Sequence, residues 1–81
     1  MKDNVKEVQD DILNYLYENR ESSPQSLTKI RVAINLDDNK GDNRVLKACI
    51  EALLKKGFIK KQEDRGNYKI QPKGIEHIEQ E

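Results

Sequence analysis

The stretch from Asn43 to Ile59, NRVLKACIEALLKKGFI, constrains this chain more than any other. Leu46, Cys49, Ile50 and Leu53 recur at three- and four-residue steps, which at roughly 100° per residue line up as one apolar stripe on a helix. Arg44, Ala48, Glu51 and Lys55 fall near the opposite side of the same cylinder, with Lys47 on its flank. One face must be covered; the other is polar and independent of it. The ends of the helix are marked too. Asp42 or Asn43 can accept from the first-turn amides, Lys55 and Lys56 complement the negative end of the helix dipole, and Gly57 offers the left-handed residue that stops it.

How much core such a helix can share depends on composition. Of 81 residues, 35% are apolar and 37% charged, a lean balance that folds when the apolar residues are placed periodically. That length predicts a single domain over residues 1–81, with a few short elements and no room for a deep substrate pocket. No apolar run approaches about 18 residues, and the start MKDNVKEV lacks the apolar stretch of a secretory signal. A cytoplasmic protein without a membrane span is therefore expected. The single cysteine excludes an internal disulfide and fits a reducing compartment.

Net charge is zero at pH 7, but its distribution is uneven. Residues 1–20 hold three basic side chains against five acidic ones. Residues 42–66 hold seven (Arg44, Lys47, Lys55, Lys56, Lys60, Lys61 and Arg65) against four (Asp42, Glu51, Glu63 and Asp64). The positive excess gathers in the central helix and the segment after it. It is small enough that binding to a polyanion would be weak without dimerisation or base contacts.

Val5, Val8, Ile12 and Leu16, reinforced by Leu13 and Tyr15, predict a first helix from about Asp3 to Asn19. Tyr15 and Tyr17 are expected to cover the core with their rings and leave their hydroxyls in water, with partner contact as the alternative. Ser22 or Ser23 as cap and Pro24 at the first helical position predict a second helix from Pro24 to about Ile34. Leu27, Ile30 and Ile34 give its inner face, and Leu36 closes over the core. Asp37 to Asp42 contains turn formers and charges without an apolar residue, so it reads as an exposed connector. It is no calcium loop, because no Glu arrives at the twelfth position and Val45-Leu46 occupy its second half.

Phe58–Glu63 and Asn67–Gln71 predict two strands around Asp64-Arg65-Gly66, with Gly66 and Asn67 tolerating the positive φ of a hairpin tip. Ile59, Tyr68 and Ile70 would point inward, and Lys60, Lys61, Arg65 and Lys69 would lie on the solvent side. Pro72-Lys73-Gly74 ends the second strand. Ile75 and Ile78 then offer a short, marginal last helix with a fraying acidic tail.

The expected class is thus α+β, mostly α. Three helices followed by a β-hairpin is the layout of a winged helix-turn-helix domain. The segments LKACIEALLKKGFIKK and GNYKIQPKGIEHI resemble the small winged-helix transcriptional regulators of archaea and bacteria. That family runs as an apolar helix, Leu-x-x-x-Gly-Leu-Ile, a basic turn, then Tyr-x-Leu-Thr-x-x-Gly. The corresponding positions here are Leu53, Gly57, Phe58 and Ile59, then Tyr68, Ile70, Gln71 and Gly74. Two departures stand out: Gln71 replaces the family's Thr, and the connector before the third helix is several residues longer than the family's tight turn.

The resemblance covers nearly the whole chain and implies sequence-specific binding of double-stranded DNA by a transcriptional regulator. The helix at about 43–56 would enter the major groove with Asn43, Arg44, Lys47 and Ala48 nearest the base edges and phosphates. Arginine pairs bidentately with guanine and asparagine with adenine, and a small alanine permits close approach. The wing at about 58–71 would bring Lys60, Lys61, Arg65 and Lys69 to phosphates, contacts that position the domain and carry little sequence information. Winged helices also serve as protein-docking modules, which is the alternative reading. A homodimer is a further expectation, with Tyr15 and Tyr17 or Ile75 and Ile78 as its contacts. Catalysis finds no support: there is no phosphate loop, serine elbow or paired carboxylate, Cys49 lies on the apolar stripe, and one cysteine with one histidine makes no zinc set. No enzyme, cofactor, metal or small-molecule ligand is expected.

Overall fold

The computed structural model describes residues 5–62 and 66–80. Its elements in chain order are α1 (Val5–Glu18), α2 (Leu27–Ala33), α3 (Lys40–Lys56), β1 (Ile59–Lys61), β2 (Tyr68–Ile70) and α4 (Pro72–Glu79). The class is α+β and mostly helical, with four helices and one antiparallel hairpin among the described residues.

The apolar stripe of α3 is buried as its spacing requires. Leu46, Cys49, Ile50 and Leu53 join Val8, Ile12, Leu13 and Leu16 of α1 in one cluster. Ile30, Ile34 and Leu36 close it on one side, and Ile59, Tyr68 and Ile70 on another. Gly57 stops α3 at φ 76°, with its own N–H reaching Leu54 O and the Phe58 N–H reaching Leu53 O.

Helix α3 starts earlier than its apolar pattern. Lys40, Gly41 and Asp42 form its first turn rather than a connector, because Asn39 is extended and its Oδ1 accepts the Asp42 N–H at 2.8 Å. Asp42, expected to cap, instead turns its carboxylate back to accept the Asp37 N–H at 2.8 Å. The connector after α2 is residues 34–39, shifted toward the N-terminus from the expected 37–42.

Helix α2 is shorter than expected. Ser26 caps it by accepting the Lys29 N–H at 3.2 Å, and Pro24 and Gln25 stay outside the helix. The reason lies elsewhere in the chain. Gln25 exchanges both backbone hydrogen bonds with Tyr68, each 2.8 Å, and so adds a one-residue stub to the far edge of β2. Its buried side chain is satisfied by donating to Ser23 O at 2.7 Å and accepting from the Tyr15 hydroxyl at 2.8 Å. At its other end α2 stops on Asn35 (φ 63°), with the Leu36 N–H bonded to Arg31 O and the Asn35 N–H to Val32 O. This is the left-handed helix stop usually made by glycine.

The strands are shorter than the sequence suggests, and the register pairs Ile59 with Ile70, Lys60 with Lys69 and Lys61 with Tyr68. Glu63, Asp64 and Arg65, including the expected turn, lie outside the described residues. Gly66 has φ 66° as expected, whereas Asn67 keeps a negative φ. Pro72 does not merely end the strand; it is the first residue of α4, an eight-residue helix. The Gln71 N–H donates to Phe58 O at 2.8 Å, seating α4 on the end of α3.

Both tyrosines of α1 depart from expectation in the same way. Their rings pack on the core, but their hydroxyls are bonded within the chain, Tyr15 to Gln25 and Tyr17 to Glu79 at 2.9 Å. Ile75 and Ile78 also pack against the core. Among the described residues no helix is long and apolar enough to cross a membrane.

Candidate functional site

Lys40, Arg44 and Lys47 stand at i, i+4 and i+7 along α3, so one outward row carries three cations. With Asn43 they line a shallow concavity of about 400 Å³. Lys40, Arg44 and Lys47 are exposed, and their side chains make no hydrogen bond among the described residues. Asn43 is half-buried and donates Nδ2 to Asp38 Oδ1 at 3.0 Å. Glu51, one turn beyond Lys47, gives the row an acidic end. Ala48 is exposed beside the row and belongs to neither concavity.

The hairpin contributes less than its composition promises. Side chains alternate across a strand, so Lys61 shares the helix-facing side with Ile59, and Lys60 takes the other side with its partner Lys69. Lys61 is solvent-exposed as expected, but it leaves the hairpin on the opposite face from Lys60 and Lys69. It lines a second concavity, a cleft of about 390 Å³ between α2, α3 and the hairpin, together with Leu27, Lys47, Ile50, Glu51, Leu54 and Tyr68. Lys69 donates Nζ to Ser22 O at 2.9 Å, which holds it on the opposite side. Arg65 lies outside the described residues.

Of the eight candidates, Asn43, Arg44, Lys47 and Lys61 thus meet on one continuous surface, and Lys60 and Lys69 do not join them. Lys47 borders both concavities. Lys40, which a long connector would at most bring near a phosphate, instead belongs to α3 and completes the row. Its signal was Asn39 followed three residues later by Asp42, the spacing of a helix start.

Other chemistry is scarce. No group of three or more His, Cys, Asp or Glu among the described residues is arranged to hold a metal ion. Burial raises the Cys49 pKa, and its Sγ lies 3.6 Å from Val5 O, so the thiol stays protonated in the core. His77 stacks on Phe58 with ring centroids 4.8 Å apart, a packing role that its position near the chain's end did not suggest.

Comparison with protein-family models, curated proteins and solved structures returns no match for this chain.

Proposed function

We propose that the chain is a winged helix-turn-helix domain that binds double-stranded DNA as a transcriptional regulator, with α3 in the major groove and the hairpin as its wing. One observation carries the reading: Lys40, Asn43, Arg44 and Lys47 share one outward face of α3, and Lys47 also borders the cleft that Lys61 lines. The element order, three helices, a hairpin and a terminal helix, supports it as well. Arg44 and Asn43 are the base readers in this scheme, because a guanidinium and a carboxamide each offer paired hydrogen-bonding groups that match base edges. Lys40, Lys47 and Lys61 meet phosphates. Such a role implies a cytoplasmic chain, in keeping with an unpaired thiol.

Mutation separates the two kinds of contact. Arg44→Ala is expected to relax preference for a selected duplex over a random one by about tenfold, whereas Lys61→Ala weakens both alike. Fluorescence anisotropy on the two duplexes measures this. Equal losses on both duplexes from both substitutions would contradict the assignment.

A second reading has its own observation. The cleft is lined by Leu27, Ile50, Leu54 and Tyr68, more apolar than a phosphate track requires, and net charge is zero. These features favour a protein-docking module. Absence of duplex binding at about 50 mM salt, where phosphate contacts are strong, together with recovery of a protein partner, would decide for it.

A further inference from the structure

We propose that Asp38 is a positioning residue for sequence recognition: by holding the Asn43 carboxamide it sets the base preference of α3, although its own charge opposes a polyanion. The inference rests on the DNA-binding reading above. An ionised carboxylate only accepts hydrogen bonds, so the contact of 3.0 Å to Asp38 Oδ1 fixes Nδ2 as the atom that Asn43 presents to it. The terminal torsion of an asparagine is otherwise broad. Pinned in this way, Asn43 keeps one N–H and its carbonyl oxygen for other partners. One donor beside one acceptor is the pattern that matches the N7 and N6 amino group of adenine in the major groove.

Asp38 is itself held by the backbone around it. On one side the Asp37 N–H donates to Asp42 Oδ2 at 2.8 Å; on the other Asn39 Oδ1 accepts the Asp42 N–H at 2.8 Å, and the Asn43 N–H donates to Asn39 O at 2.9 Å. The connector is therefore tied to the first turn of α3 on both flanks of Asp38. Nearby cations do not use this carboxylate: among the described residues Lys40, Arg44 and Lys47 make no ion pair with it. Its bonded partner is the half-buried amide of the cationic row.

Charge and geometry make opposite predictions here, which gives the test its power. The probe is a duplex enriched by the wild-type chain from a randomised pool, compared with the same duplex altered one base pair at a time. Asp38→Ala removes both the charge and the acceptor. It should tighten binding to every duplex by a few-fold and lose about tenfold discrimination at one base pair. Asp38→Asn removes the charge but keeps an acceptor oxygen, so it should bind more tightly with discrimination retained. Asn43→Ala should lose discrimination at that same base pair, and adding Asp38→Ala to it should cause no further loss. Circular dichroism of each variant checks that α3 persists. Undiminished discrimination in Asp38→Ala, equal loss in Asp38→Asn, or additive losses in the double variant overturns the proposal while leaving DNA binding intact. Failure of the wild-type chain to enrich any sequence overturns both.

Discussion

Tyr17 shows how a single hydroxyl ties distant parts of the chain together. It donates to Glu79 Oε2 at 2.9 Å, while the Arg20 guanidinium sits 4.2 Å above its ring. The hydrogen bond to Glu79 is the main cause of a raised pKa, with loss of hydration and the Glu79 charge adding to it and Arg20 opposing. The sign of the pH effect follows. A group whose native pKa lies above its ordinary value stabilises the fold fully below that value, here 10.0, and loses this as pH climbs through the native one. Ultraviolet titration of tyrosinate absorbance should therefore show the Tyr17 phenol ionising above pH 10.0, and Glu79→Gln should bring it back down. An unchanged titration in that variant would remove Glu79 as the cause. Neither tyrosine contact was legible in the sequence, since periodicity gives the direction of a ring but not the partner of its hydroxyl.

Helix α4 is the element most dependent on close packing. Gly74 is buried and has an ordinary negative φ, so freedom of the backbone is not the reason for glycine there. A Cβ at this position would overlap the Phe58 carbonyl oxygen and lie 2.9 Å from Ile70 Cγ1. Gly74→Ala is expected to destabilise the chain by about 1–3 kcal/mol, through a forced shift of α4 away from the end of α3. Urea unfolding midpoints measure this; a variant as stable as the parent would show that α4 is loosely seated. The buried faces of α1 and α3 were legible because helical spacing alone determines them. The start of α3 was obscured by the poor helix formers Gly41 and Asp42, which the Asn39 cap overrides. Gln25 was unreadable locally, because its conformation is decided by Tyr68, a partner distant in sequence. The face taken by Lys61 was available from strand alternation, since it stands two residues from buried Ile59, even though the side chain is exposed as its charge suggests.

The described residues span 31 × 31 × 21 Å, less than one turn of duplex, roughly 34 Å. On the proposed reading, one copy bound through α3 would cover only part of a turn, and a longer operator would need two copies on successive turns. Zero net charge also limits long-range attraction, so the salt dependence should reflect only the local cations. With Lys40, Lys47 and Lys61 as its phosphate contacts, the logarithm of the affinity should fall against the logarithm of salt with a slope of about −3 per chain. Titrations between about 50 and 200 mM salt check this, and a slope near zero would exclude phosphate contacts. The position of Lys47, shared by the polar row and the apolar cleft, adds a constraint of a different kind. A molecule lodged in the cleft would lie against the Lys47 and Lys61 side chains that the proposed duplex uses, so the two would be rivals. Titrating either one against the other should therefore show displacement, not a ternary complex of undiminished affinity.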